Sequence, residues 1–175
     1  MKRLVFVVLA FLVLSSCTTV LRKDLMDRGI KNFPLDQLIR NPEPYKGKLF
    51  ILGGIIAETT LTETDSLVNA LYVPIDFAGY PKDMKPNGRF LALYPKERGI
   101  LDPLIYGMHR KITVAGIFTG TEPGKIGQMN YIFPVFRVEE MYLWEKSESY
   151  PWCAYGPYPY RDPCYRGSPW WPYSN

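Results

Sequence analysis

The chain has 175 residues, a formal net charge of +4, 47% hydrophobic and 22% charged residues, three cysteines and one histidine. That length suits one domain with a core of its own. The charge is low and forms no basic run or stripe, which argues against nucleic acid as a partner.

Met1-Lys2-Arg3 is a short positive start, and Leu4–Leu14 (LVFVVLAFLVL) then carries no charge and no polar side chain. As a helix this run would span about 16 Å, roughly half of a bilayer's hydrocarbon core. It is too short for a transmembrane anchor and has the size of the apolar region of a secretory signal. Leu14-Ser15-Ser16-Cys17 follows, an aliphatic residue, two small ones and a cysteine, and resembles the bacterial lipobox. The reading that follows is a signal peptide over 1–16 and a diacylglycerol thioether on Cys17, which becomes the acylated mature N-terminus. Two or three acyl chains at about 0.8 kcal/mol per buried CH₂ make such an anchor stable. Thr18 stands where an aspartate would resemble an inner-membrane retention signal, so outer-membrane lipid is the expected partner of Cys17, with the protein facing the periplasm. Without Lys2 and Arg3 the charge falls to about +2, so part of the basicity belongs to the signal.

Residues 17–33 are mixed and polar and read as a tether. Pro34 suits a first helical turn, and Leu35, Leu38 and Ile39 share a helical face, which predicts a short helix over 35–40 before Asn41-Pro42 and Glu43-Pro44 stop it. KLFILGGIIAETTL (48–61) predicts a strand, with Gly53-Gly54 marking a bend or a close backbone approach. A second strand is expected over 66–76. YPKDMKPNG is turn chemistry, with Asn87-Gly88 its strongest signal. RFLALY (89–94) predicts a third strand, and 95–109 an irregular connector with a helical turn near 102–107. RKITVAGIFTGTEPG predicts a fourth strand with Ile112, Val114 and Gly116 on one face. GKIG (124–127) reads as a turn. NYIFPVFRVEEMYLWEK predicts a fifth strand, with Pro134 at an edge or a bulge. This order fits an all-β fold with minor α: a small OB-like barrel of five to six strands over 34–149, with short helical connectors. An incomplete sandwich would give similar signals.

Composition changes at Tyr150. The segment 150–175 is an extended, Pro/Tyr/Trp-rich C-terminal tail whose prolines forbid a regular helix or central strand. Cys153 and Cys164 within it are expected to form a disulfide in an oxidising compartment, closing a short loop worth about 3 kcal/mol on the chain-entropy model. Zinc is the alternative, disfavoured by a single histidine and the lack of CxxC spacing. Trp152, Tyr155, Tyr158, Tyr160, Trp170 and Trp171 pair apolar faces with polar atoms and are the interaction candidates. Three readings of the tail stay open: disordered, packed on its own barrel, or a contact for peptidoglycan, an envelope protein or lipopolysaccharide.

Four pieces of the chain, PEPYKGKLFILGGII (42–56), GRFLA (88–92), ILDPLIYGMHRKITVAGIFTG (100–120) and GKIGQMNYIFPVFRVEEMYLW (124–144), stand in order behind the lipobox. Together they resemble the Slp family of Gram-negative outer-membrane lipoproteins, from Cys17 to about Trp144. The resemblance implies an outer-membrane lipoprotein, made in some members under starvation or stress, with no established enzymatic chemistry. The match is poorer over LTETDSLVNALYVPID, and Met108-His109-Arg110 replaces a Gly-Arg.

The residues themselves suggest no catalysis, metal or cofactor. There is no GxSxG, HExxH or phosphate-binding glycine loop. A triad of Asp102, His109 and a serine would arise only by chance. Glu139 and Glu140 are strand neighbours and point to opposite faces. Asp102 fits better as a turn residue bonding nearby backbone. The reading that results is a structural or interaction lipoprotein of the cell envelope, and not an enzyme. The alternative is a periplasmic module that binds a small ligand or glycan on the barrel face; an envelope hydrolase is a distant third.

Overall fold

The computed structural model describes residues 19–145. The signal peptide, Cys17, the tail candidates and Cys153 and Cys164 lie outside the described residues.

In chain order the elements are α1 (Lys23–Arg28), β1 (Ile30–Lys31), α2 (Leu35–Arg40), β2 (Leu49–Leu61), β3 (Asp65–Val73), β4 (Arg89–Pro95), β5 (Lys111–Ile126) and β6 (Met129–Leu143), with single 3-10 turns at Glu43–Tyr45 and Lys96–Arg98. The strands run in the order β1-β2-β3-β4-β6-β5, and β5 pairs back onto β2. That last pairing closes a five-stranded barrel, β2-β3-β4-β6-β5, with β1 outside it. All barrel pairs are antiparallel except β4 with β6, which runs parallel through Leu91↔Val135 and Leu93↔Arg137. The expected all-β, OB-like barrel is the observed fold, and closure removes most of the open edge that a sandwich would leave.

Alternation along each strand builds the interior. Phe50, Leu52 and Ile56 of β2, Val68, Ala70 and Tyr72 of β3, Phe90 and Ala92 of β4, Ile112, Val114 and Phe118 of β5, and Phe136 and Val138 of β6 form one buried cluster. Phe50 and Phe90 both pack edge-on against Phe136, at 5.7 and 5.9 Å between ring centroids. α2 forms where expected, with Pro34 as its N-cap, and sends Leu35 and Leu38 into the same cluster.

Gly53 and Gly54 are there because of close approach. A side chain at Gly54 would sit 3.1 Å from both Ala70 and Phe90, and one at Gly53 would sit 2.6 Å from the Val73 carbonyl. A strand this curved brings the neighbouring backbone too near for a Cβ at Gly53 and leaves only a tight fit for one at Gly54. Pro134 lies opposite Thr121, one residue before the β4 pairing begins and beside the register shift between Phe118 and Gly120, as its missing N–H requires.

Three boundaries differ from expectation. β3 ends at Val73, before Pro74, because Asp76–Tyr80 forms a separate turn. The connector after β4 matches expectation: it is held in turns, with a helical reversal near 102–107 in which the N–H groups of Ile105 and Tyr106 bond the Asp102 carbonyl. Gly124, Lys125 and Ile126 are strand residues, and the chain reverses at Gly127-Gln128, where Gly127 has φ of 60°. Finally, residues 20–33, within the stretch expected as a tether, carry structure. Leu21, Leu25 and Met26 are buried against Ile51, Ala115 and Ile75 on the outer face of β2 and β5. β1 then pairs with β2 at Ile30↔Phe50, on the stretch of β2 before Gly53 that β3 does not reach.

Candidate functional site

The residues that could support chemistry are engaged in structure. The Asp102 carboxylate accepts the Leu104 N–H at 2.8 Å, the turn role expected for it. His109 adopts φ of 69°, and its backbone N–H donates to the Ile56 carbonyl. Glu139 sits at a strand irregularity, where β5 pairs Ala115 with Glu140 but Gly116 with Val138. The two neighbouring glutamates bind different arginines. Arg98 donates to the Glu139 carboxylate at 3.1 Å and to the Val138 and Glu139 carbonyls, clamping the connector to β6. Arg22 reaches Glu140 at 3.2 Å and ties the N-terminal segment to the same strand. Among the described residues no group of His, Cys, Asp and Glu is placed to hold a metal ion, and no helix is long and apolar enough to cross a membrane.

The barrel interior is occupied by side chains, with the rings of Phe50, Phe90, Phe118 and Phe136 fully buried in it. A shallow groove lies on the outside, lined by Thr64, Asp65, Leu93, Pro95, Glu97, Thr119 and Arg137. It lies where the start of β3 and the end of β4 meet Thr119 of β5 and Arg137 of β6. It carries no aromatic ring among its lining residues, so it lacks the flat apolar platform that suits a sugar.

The start of β5 is a second focus. Thr113 is fully buried on the outer side of the barrel, and its hydroxyl donates to the Gly79 carbonyl at 2.6 Å while accepting the Trp144 indole N–H at 2.9 Å. One side chain thus joins the 76–80 turn, β5 and the end of β6. Tyr80 and Tyr142 each meet the Trp144 ring edge-on, at 4.7 and 4.8 Å. The Lys111 ammonium binds Tyr80 and Asp83. Partial burial alone would lower its pKa, but these bonds outweigh burial and the net direction is upward. None of Thr113, Tyr80 or Trp144 stands out in the sequence, because their common address depends on strand pairing over distances the local pattern does not carry.

The N-terminal segment arrives at this focus. Val20 N–H donates to the Ala78 carbonyl at 3.3 Å, and Gly79, at φ of 98°, lies so close to Val20 that a Cβ there would fall 2.8 Å from it. The described part of the chain therefore begins beside the 76–80 turn.

Comparison with known proteins agrees with these features. The family model described as "Outer membrane lipoprotein Slp family" matches residues 14–175, beginning at the first lipobox residue and running through the tail, beyond the Trp144 limit of the visible resemblance. The uncharacterized lipoprotein YeaY of Escherichia coli is 30% identical over 166 residues, covering 93% of this chain and 80% of YeaY. The outer membrane protein Slp of E. coli is 30% identical over 109 residues, 61% of this chain and 55% of Slp. An uncharacterized protein of Haemophilus influenzae is 31% identical over 101 residues, 57% of this chain and 53% of that protein. The chain thus spans about half the length of the last two relatives and most of YeaY. With a family match over nearly the whole chain and a closed barrel behind a lipobox, this protein belongs to the outer membrane lipoprotein Slp family.

Proposed function

We propose that this lipoprotein is held in the outer membrane by acyl chains on Cys17, faces the periplasm, and serves a structural or interaction role in the envelope, including under starvation or stress. The observation that carries this reading is the solid barrel. Its interior is packed with aromatic and aliphatic side chains, and the carboxylates nearest to a catalytic pattern are engaged by turn N–H groups or arginines. Such a domain presents surfaces and encloses no substrate. The 150–175 segment, with Trp152, Tyr155, Tyr158, Tyr160, Trp170 and Trp171, is the proposed contact for peptidoglycan or an envelope protein.

Photo-crosslinking in living cells tests this role, with the probe in place of Tyr158 or Trp170 and a barrel position as control. A discrete protein or peptidoglycan adduct from the tail, absent from the control, is the expected result. Adducts only within the chain itself would remove the tail from the role and turn attention to the barrel. The second reading, a glycan module, rests on the outer groove around Leu93 and Arg137. Titration with muropeptides that shifts the NMR signals of Thr119 and Arg137 would favour it, and unshifted signals would end it.

A further inference from the structure

A domain on a long tether could meet its membrane in any orientation, but here the anchor point leaves little slack. Cys17 is three residues before Val20, so even a fully extended chain puts it within about 10 Å of Val20. That distance is comparable to the headgroup layer on one side of a bilayer. Val20 is in turn fixed to the 76–80 turn through the Ala78 carbonyl and the Gly79 backbone. Acyl chains on Cys17 would therefore hold this turn at the lipid surface.

The turn has the chemistry of a lipid-facing element. Phe77 stands at its apex with 85% of its surface exposed. It is not a loose loop end. The Asp76 carboxylate accepts the N–H groups of Ala78 and Tyr80 at 3.0 and 2.8 Å, Asp76 N–H donates to the Tyr80 carbonyl, and Thr113 holds the Gly79 carbonyl. These bonds keep a large aromatic side chain out of the core. A lone exposed phenylalanine would mean little. Beside this one, however, Tyr80, Trp144 and Tyr142 form a continuous aromatic group, and Tyr142 is 40% exposed. Tyrosine and tryptophan favour the headgroup level, where a ring can be half apolar and half wet. Lys82 and Lys85, both exposed, follow in the same connection, and lysine stems can cover apolar surface while their ammonium groups stay in water.

We propose that the face formed by the 76–80 turn and the Tyr80–Trp144–Tyr142 group lies on the phospholipid leaflet that carries the protein's own acyl chains, with Phe77 inserted among the lipids. This rests on the acylation of Cys17 proposed above. It fixes the orientation of the barrel. The tip of the β5–β6 hairpin lies at the other end of β5 from that anchor face, about 40 Å along the strand from Thr113.

The test uses the full-length acylated protein in vesicles of phosphatidylethanolamine and phosphatidylglycerol. Benzoylphenylalanine replaces Phe77 in one sample and the exposed Lys125 near the hairpin tip in the other, and mass spectrometry reads both phospholipid adducts and the acyl mass on Cys17. The expected result is roughly tenfold more phospholipid adduct from position 77 than from position 125, as for a side chain at the acyl boundary. Equal yields from protein that is acylated and vesicle-bound would overturn the orientation and leave the anchor standing. Absence of acyl mass on Cys17 would overturn both, since the short distance to the anchor is what selects this face.

Discussion

Tyr72 and Thr113 show two outcomes for a polar group inside this barrel wall. Thr113 uses its hydroxyl twice, as donor to Gly79 and acceptor from Trp144. Tyr72, 4% exposed on β3, has a hydroxyl with no hydrogen-bond partner among the described residues. Burial raises its pKa above the ordinary 10.0, because a phenolate there would lose its water. The unfolded chain therefore releases this proton first as pH rises. The contribution is intact below about pH 10 and is lost between the ordinary value and the higher folded one. Tyr72→Phe deletes an unpaired group and keeps the ring, so it should stabilise by about 1 kcal/mol at neutral pH. It should also flatten the decline above pH 10. Urea midpoints at pH 8 and pH 11 for both proteins check this. A clear loss of stability at pH 8 in the variant would mean that the hydroxyl has a partner after all.

At the scale of elements, the informative one is α1. It has six residues, no side-chain cap at its start and two buried side chains, Leu25 and Met26. Alone it would not be stable, since so short a helix cannot offset its nucleation cost. It persists because Leu25 and Met26 pack on Ile51 and Ala115 and because β1 pairs with β2 directly after it. Leu25→Ala should cost about 2–4 kcal/mol, and should speed amide exchange at Ile30 and Lys31 before the barrel strands respond. An unchanged denaturation midpoint would mean that this segment adds nothing to the fold and behaves as a simple tether. The same element marks the limit of what the sequence conveys. β2, β4 and α2 are legible because their alternation or helical spacing is local and their breakers are Pro and Gly. The segment around α1 offers Leu21, Leu25 and Met26 among charged residues, too few apolar positions to distinguish a packed turn from a polar linker. The far ends of β5 and β6 are similarly hidden: Gly124-Lys125-Ile126 reads as a turn, and becomes strand only because Tyr131, Asn130 and Met129 lie opposite. Of the site, Cys17 is legible through a linear motif. The aromatic face is not, because Tyr80 and Trp144 come together only when β5 pairs with β6 and the 76–80 turn folds onto Thr113.

At the scale of the whole molecule, attachment and folding are separable. The barrel closes through β2–β5, and its core clusters draw on residues from Leu21 onward. Cys17 lies before all of them. The acyl chains proposed on Cys17 would supply stable anchoring at about 0.8 kcal/mol per buried CH₂, whereas the proposed insertion of one phenylalanine and a few interfacial rings would give only weak, reversible lipid contact. Cys17→Ala should therefore abolish incorporation of labelled fatty acid and remove the protein from the outer-membrane fraction. It should leave the urea midpoint of the purified domain unchanged. Fractionation, palmitate labelling and denaturation of the same preparation separate the two effects. A variant that still co-fractionates with the outer membrane and keeps its acyl label would refute the Cys17 anchor, while a variant that loses its label but also unfolds would show that the anchor and the barrel are energetically coupled.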